Sequence, residues 1–136
     1  MICFDWIFPE VARSLALRGA DILCHPSNLV LTYCQKTMLT RSLENSVYSI
    51  TANRTGKETR PRGELLFTGQ SQIVGPKGEI IASSNSDQEA VVLCDIDLFD
   101  ARNKLITENN NLFADRRPAF YDSIVYNTIN DLSIHS

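Results

Sequence analysis

The sequence predicts an α/β fold, in which helices cover a sheet that contains parallel strands. Segments with the apolar period of an amphipathic helix alternate with short apolar runs typical of strands, and turn-forming residues separate them. Such alternation is the pattern of parallel strands joined by right-handed helical crossovers. The chain has 136 residues, 43% of them hydrophobic and 21% charged, which is the composition of one ordinary globular domain.

The first predicted helix covers residues 8–18. Its apolar residues repeat at steps of three and four, Pro9 suits the first helical position, and Gly19 suits the position after the last turn. Residues 20–24 then form a short apolar run that stops before Pro26, as expected of a strand buried on both faces.

A second helix is predicted over residues 33–45, and a second strand over residues 47–52 ends at a turn-forming cluster. Residues 57–64 are polar and contain proline and glycine, so we predict a surface loop. Residues 70–74 and 79–82 flank a four-residue connection typical of a β-hairpin.

The remaining pattern is weaker. Residues 90–96 predict a further strand and residues 97–103 a short helix, whereas the C-terminal part of the chain shows little periodicity. Because a hairpin follows the parallel part, the fold counts as α+β in some classification schemes.

The charge balance argues against a nucleic-acid or membrane partner. Lys and Arg number 13 against 16 Asp and Glu, a net charge of -3, and no basic stripe is present to neutralise phosphates. No apolar run approaches the ~20 residues needed to span a bilayer, and the N-terminus lacks the features of a signal peptide. We therefore expect a cytoplasmic protein.

The cysteines and histidines do not form a metal-binding pattern. No two cysteines have the C-x-x-C spacing, and His25 and His135 do not complete a zinc ligand set. We therefore expect no metal and no other cofactor. In a reducing compartment a cysteine is most often a buried small hydrophobe, which is our expectation for every cysteine except Cys3.

Polar residues follow the ends of the predicted strands. Ligands of parallel sheets bind at the carboxyl ends of the strands, where the loops face one crevice. If residues 1–2 end a strand, then Cys3, residues 25–28 and residues 53–54 meet at one edge of the sheet. These side chains could therefore share a site.

Three of these residues are predicted substrate contacts: Asn28, Asn53 and Arg54. The alternative is that the asparagines only form turns and that Arg54 makes a surface ion pair. For His25, a packed or turn histidine is the favoured interpretation, ahead of a proton shuttle.

A specific pattern surrounds Cys3: an apolar residue, the cysteine, an aromatic residue and an acid, then, after two residues, Phe8-Pro9-Glu10. Four further segments follow in order, namely HPSN at 25–28, RSLEN at 41–45, TANRTG at 51–56 and FTGQS at 67–71. Together these segments resemble the nitrilase superfamily of carbon–nitrogen hydrolases. The resemblance covers roughly residues 1–121 as the C-terminal portion of a hydrolase domain. It leaves residues 122–136 as a tail without a predicted structure.

The resemblance implies that the chain is part of an α-β-β-α four-layer sandwich, whose active site holds a Cys, a Glu and a Lys. Cys3 matches the nucleophile, which attacks a carbonyl or nitrile carbon and forms a thioester-type intermediate that water resolves. The backbone N–H of Phe4 matches the oxyanion donor, and Glu44 matches a residue that supports the site. Asp5 stands where true nitrilases have Glu and is similar to the amidase and carbamoylase branches, which favours a small amide or carbamoyl substrate.

The resemblance also implies that the N-terminal half of the domain is missing. The catalytic Glu and Lys of the family precede the Cys, and only two residues precede Cys3 here. We therefore expect the isolated chain to be inactive, because a thiol without a base or an electrophile turns over slowly. Glu10, Glu44 and His25 do not match the position of the family's base.

An incomplete sandwich would expose sheet edges and apolar faces. We therefore expect a homo-oligomer or a complex with a complementing N-terminal half. Two alternatives stay open. One is a non-catalytic remnant or interaction module that docks on a partner chain, and the other is a small doubly wound domain of unrelated function.

Overall fold

The computed structural model describes residues 1–125 and divides the chain into two units, Met1–Lys104 and Leu105–Ser136. The first unit begins with a 3₁₀ helix, Cys3–Ile7. Its other elements are α1 Pro9–Leu17, β1 Ile22–Ser27, α2 Cys34–Asn45, β2 Tyr48–Asn53, β3 Lys57–Arg60, β4 Gly63–Leu66, β5 Gln72–Val74, β6 Ile80–Ser83 and α3 Leu98–Arg102. This mixture of helices and sheet confirms the predicted α/β class.

A four-stranded sheet in the order β1-β2-β5-β6 forms the centre of the first unit. β1 and β2 are parallel, as the helix between them predicts, and their register aligns His25 with Thr51 and Ser27 with Asn53. β5 and β6 form the predicted antiparallel hairpin, and β5 also pairs antiparallel with β2. The carboxyl ends of β1 and β2 therefore lie side by side.

The prediction for β1 was wrong in two respects. The strand continues through Pro26 to Ser27 instead of stopping before the proline. Because β1 is an edge strand, the N–H that proline lacks is not required by a second neighbour. The strand is also not buried on both faces, since Leu23 and His25 are buried whereas Cys24 is exposed.

The predicted surface loop at residues 57–64 was also wrong, because β3 and β4 form a hairpin there. The segment lacks apolar alternation since nearly all of its residues are exposed. A charged pair joins the two strands instead, Lys57 Nζ with Glu64 Oε1 at 3.2 Å. A two-sided polar hairpin gives no apolar period from which a strand could be predicted.

Residues 90–96 are not a strand, contrary to the prediction. Their burial alternates along the segment, with Val91 and Leu93 exposed and Val92 and Cys94 half-buried, yet they pair with no strand within residues 1–125. Alternation specifies which side chains share a face, but a strand also needs a partner for its backbone groups. The helix predicted after this segment is confirmed as α3, where the Asp97 carboxylate accepts a hydrogen bond from the Phe99 N–H.

The two predicted long helices are confirmed and lie together: α2 packs against β2 and β5, and α1 packs against α2. Beside them, a buried cluster joins the 3₁₀ helix to α2 through Trp6, Leu29, Cys34 and Met38. Cys3 packs against the edge of this cluster. No helix within the described residues is long and apolar enough to cross a membrane.

The second unit contains a small antiparallel pair, β7 Leu105–Thr107 with β8 Asn110–Asn111. A short 3₁₀ helix, Pro118–Phe120, and α4, Asp122–Val125, follow it. Of the predicted tail, residues 122–125 form α4, and residues 126–136 lie outside the described residues. The boundary at residue 121 stays a prediction.

Candidate active site

Cys3 lies in a strained turn between an extended residue and the first helix. Ile2 is extended at φ −132° and ψ 131°, and Cys3 itself has φ +45°, in the left-handed region that non-glycine residues rarely adopt. Two hydrogen bonds close the turn: the Ile2 N–H donates to the Asp5 carboxylate at 2.7 Å, and the Asp5 N–H donates to the Ile2 carbonyl at 3.0 Å. Such strain costs about 1–3 kcal/mol and is common at catalytic residues.

Phe4 is the second residue of the 3₁₀ helix. The N–H groups of the first turn of a helix have no acceptor within the helix, so the Phe4 N–H is available by position. The Phe4 ring is 56% exposed and meets the rings of Trp6 and Phe8 edge to face. The role of oxyanion donor was predicted for the backbone N–H of Phe4, not for its ring, and it stays a prediction.

A cavity of about 770 Å³ opens beside Cys3, whose side chain is half-buried. Its wall includes three other residues predicted from strand ends, namely Asn28, Asn53 and Arg54. The structure therefore brings together four of the six predicted site residues. Phe4 and Glu44, the other two, are not among the described residues that line the cavity.

His25 lies directly behind Cys3 and is 1% exposed. Its Nε2 is 2.8 Å from the Cys3 carbonyl oxygen and 2.9 Å from Ser27 Oγ, and its Nδ1 is 3.2 Å from Thr51 Oγ1. Burial lowers the pKa of His25, and the hydrogen bond to the Cys3 carbonyl opposes this only in part. The packed histidine favoured from the sequence is confirmed by this burial, whereas the contact of His25 with Cys3 was not predicted. The sequence did place residues 25–28 at the same sheet edge as Cys3, but the contact itself depends on how the turn at Cys3 packs against β1.

Asn53 lines the cavity, yet its side chain is used within the protein. Its Oδ1 accepts the Leu29 N–H at 2.8 Å, and its Nδ2 donates to Thr68 Oγ1 at 2.9 Å and to the Gly69 carbonyl at 2.7 Å. Both amide hydrogens are thereby engaged. Asn28, by contrast, is exposed at the cavity. Substrate contact stays a prediction for both residues, and Asn28 is the one with the more accessible side chain.

Arg54 was predicted to contact substrate or, alternatively, to make a surface ion pair, and its position agrees with both. It lines the cavity, and its Nη1 also lies 2.8 Å from Glu58 Oε2. Its guanidinium carbon is 4.2 Å from the centroid of the Phe67 ring, a cation–π contact. The side chain is therefore held at the cavity wall by groups other than a ligand.

Glu44 is not among the described residues that line the cavity, and it pairs with Arg41. Glu44 Oε1 is 3.0 Å from Arg41 Nη1, and the same guanidinium donates to the carbonyl oxygens of Trp6 and Ile7 at 3.2 and 3.3 Å. The ion pair thus ties α2 to the end of the helix that begins at Cys3. Arg41, which the sequence analysis did not single out, makes this connection, and the arrangement suits a supporting residue.

The cavity also holds residues that the sequence analysis missed. Gln88 and Glu89 belong to its wall, and Glu89 is the one carboxylate among its described lining residues. They lie between the predicted hairpin and the strand predicted over residues 90–96, so nothing in the sequence tied them to Cys3. Within the described residues, no group of three His, Cys, Asp or Glu side chains could hold a metal ion. The cysteines are free thiols, and burial raises the pKa of Cys34 to about 12.

Comparison with known proteins decides the family. The family model named carbon-nitrogen hydrolase matches residues 1–104. The chain belongs to the carbon–nitrogen hydrolase family. A nitrilase of Pyrococcus abyssi is 50% identical over 121 residues, which are 89% of this chain and 45% of that protein. An N-carbamoylputrescine amidase of Solanum tuberosum is 32% identical over 134 residues, 88% of this chain and 44% of the amidase.

Solved structures of carbon–nitrogen hydrolases have the same fold. The crystal structure of a carbon–nitrogen hydrolase from Helicobacter pylori G27 has a TM-score of 0.80 and 28% identity, and the match covers 93% of this chain and 48% of that one. A mutant amidase from Nesterenkonia sp. AN1, of the nitrilase superfamily, has a TM-score of 0.72 at 28% identity, covering 90% of this chain and 42% of the amidase. It carries the acetamide moiety of fluoroacetamide covalently at its active-site cysteine. The chain thus spans about half the length of the relatives it matches.

Proposed function

We propose that this chain is the nucleophile-bearing part of a carbon–nitrogen hydrolase that cleaves a small amide or carbamoyl compound, with Cys3 as the nucleophile. The observation that carries the proposal is the strained turn that presents Cys3 at the wall of a cavity. A buried structural cysteine would not need such a backbone, and Cys34, in the core, has no comparable strain.

The reaction proceeds in two halves. The Cys3 thiolate attacks the carbonyl carbon, and the Phe4 N–H donates a hydrogen bond to the oxygen on which negative charge develops. The carbon–nitrogen bond breaks, the amine leaves with a proton, and a thioester remains on Cys3. Water then hydrolyses the thioester to a carboxylic acid or, for a carbamoyl substrate, a carbamic acid, and the thiol is restored.

The proton acceptor for this reaction is supplied from outside the chain, so the chain alone is inactive. Two of the three candidates considered from the sequence are already engaged: both ring nitrogens of His25 are hydrogen-bonded, and Glu44 is paired with Arg41. The Asp5 carboxylate accepts the Ile2 N–H. A segment equivalent to the part of the relatives that this chain does not cover would bring the base.

The adduct experiment uses fluoroacetamide and intact-mass measurement of the full chain. We expect the thiol of Cys3 to displace fluoride and retain the acetamide group, as the cysteine of the Nesterenkonia amidase does. Cys3→Ala abolishes this adduct, whereas Cys24→Ala, which removes an exposed thiol on β1, leaves it intact. An adduct that maps to Cys24 and survives Cys3→Ala contradicts the assignment of the nucleophile.

The turnover experiment adds the N-terminal part of the Pyrococcus abyssi nitrilase that this chain does not cover. Amide and carbamoyl compounds are hydrolysed by the mixture but not by either part alone, and nitriles are poorer substrates. Hydrolysis by this chain alone that persists after Cys3→Ala refutes the mechanism. The same assay separates the substrate classes, because a mixture that prefers nitriles would contradict the branch assigned from Asp5.

A second candidate function is an interaction module without catalysis. Residues 90–96 favour it, because Val91 and Leu93 are 88% and 86% exposed on a segment that has no paired strand within residues 1–125. Such a segment could add to the sheet edge of a partner chain. Binding of a partner that is unchanged by Cys3→Ala, together with no adduct in the wild type, would favour this function over hydrolysis.

A further inference from the structure

The hydrogen bond from His25 to Cys3 acts on the backbone of the nucleophile and not on its sulfur. The Cys3 carbonyl oxygen can only accept a hydrogen bond, so the proton of the neutral imidazole lies on Nε2, 2.8 Å away. Nδ1 is then an acceptor, which matches the hydroxyl of Thr51 at 3.2 Å. His25 therefore has one defined tautomer, in which Nε2 carries the proton facing the Cys3 carbonyl and Ser27 Oγ, and Nδ1 faces Thr51.

This bond fixes more than Cys3, because the Cys3 carbonyl and the Phe4 N–H belong to the same peptide unit. The described residues contain no cis peptide bond, and in a trans peptide the C=O and N–H point in opposite directions within one plane. Holding the carbonyl oxygen on His25 therefore aims the Phe4 N–H away from the imidazole. The orientation of one group dictates the orientation of the other.

The imidazole is itself held rigidly. His25 is buried in β1, and the parallel register places it beside Thr51 of β2. Ser27, two residues further along β1, lies 2.9 Å from Nε2. Burial also lowers the pKa of His25, which keeps the ring neutral and its single proton on Nε2 at neutral pH. The sheet thus provides a fixed anchor for a turn whose conformation at Cys3 is strained.

We propose that His25 is a positioning residue, which aims the Phe4 N–H at the developing oxyanion by holding the plane of the Cys3–Phe4 peptide. The proposal rests on the proposed function, in which the Phe4 N–H donates a hydrogen bond to that oxyanion. His25 does not touch the substrate and takes no proton in the reaction. Its contribution is to keep the oxyanion donor in a fixed direction before the charge forms.

Two substitutions of nearly equal size separate the two ring nitrogens. In His25→Gln the amide nitrogen occupies the position of Nε2 and can still donate to the Cys3 carbonyl, whereas in His25→Asn it occupies the position of Nδ1 and cannot reach it. We expect acylation in the complemented enzyme to slow by about tenfold to a hundredfold in His25→Asn, with KM little changed. His25→Gln retains most of the wild-type rate. Equal loss in both variants, or no loss in either, overturns the proposal.

Two NMR measurements test the inference independently of turnover. In the full chain labelled with ¹⁵N, the Phe4 amide resonance is expected to stay near its wild-type position in His25→Gln and to shift in His25→Asn. In the unmodified chain, the imidazole spectrum of His25 shows the Nε2-protonated tautomer, so the result does not depend on whether a variant folds. An Nδ1-protonated ring overturns the proposal. If Cys3 forms no adduct while both spectra agree with expectation, the proposed function fails and the orientation by His25 stands.

Discussion

Two regions of the first unit were predicted from strand-like sequence patterns, but only one of them makes the contacts that its pattern predicts. At the carboxyl ends of β1 and β2, buried polar side chains find partners within the chain, as His25 and Asn53 do. Residues 90–96 have the alternation of a strand, yet their backbone pairs with no strand of the described residues. The difference shows that a buried side chain can be satisfied by single donors and acceptors on any nearby element, whereas a strand needs a second strand for its backbone.

The largest expected effect is at Asn53. Asn53→Ala leaves the Leu29 N–H without its acceptor and removes one of the two donors to the Gly69 carbonyl, the other being Gln35, so we expect the free energy of unfolding to fall by about 2 kcal/mol. Urea unfolding followed by circular dichroism measures this change. Asn28→Ala is the matched control, since Asn28 is an exposed asparagine at the same cavity.

The control variant should change stability by no more than about 0.5 kcal/mol, as is usual for exposed positions. If Asn53→Ala and Asn28→Ala are equally mild, the hydrogen bonds of Asn53 do not hold the site loops together. The hydrogen bonds at the strand ends would then contribute no more to stability than the exposed residues 90–96 do.

A smaller effect is expected on acidification, through His25. Burial, the main cause, holds the pKa of His25 below its ordinary value of 6.5, with the N-terminal amino group acting in the same direction and Asp5 against it. The unfolded chain therefore takes up the proton first. The stability due to this group is complete above pH 6.5 and is lost as the pH falls toward the folded-state pKa.

Urea unfolding at a series of pH values measures this dependence, and His25→Gln provides the comparison because glutamine does not titrate. The wild type should lose more stability than the variant as the pH falls below 6.5. Parallel curves for the two proteins would mean that His25 is no harder to protonate in the folded chain than in the unfolded one.

The smallest effect is expected in the unpaired segment. Val91 is 88% exposed, so Val91→Lys should change the free energy of unfolding of the chain alone by less than about 0.5 kcal/mol. The same substitution should weaken the association with the N-terminal part of the Pyrococcus abyssi nitrilase, measured by calorimetry. Substantial destabilisation of the chain alone would show that residues 90–96 pack within the chain, and would remove the contrast with the strand ends.

The sequence by itself determined the long helices, the parallel pair of strands, the hairpin and the cysteine of interest. These follow from local periodicity, from turn residues and from a pattern that spans a few neighbouring positions, all of which lie close together along the chain. It also gave Asn28, Asn53 and Arg54 as neighbours of Cys3, because the carboxyl ends of parallel strands share one edge.

Only the tertiary structure decided how those residues are used. It showed that β1 tolerates Pro26 as an edge strand, that residues 57–66 form an exposed hairpin, and that residues 90–96 pair with no strand within residues 1–125. It also placed His25 against the carbonyl of Cys3, 22 positions away along the chain. Such contacts depend on strand order and register, which are set by the packing of distant segments and leave no local period in the sequence.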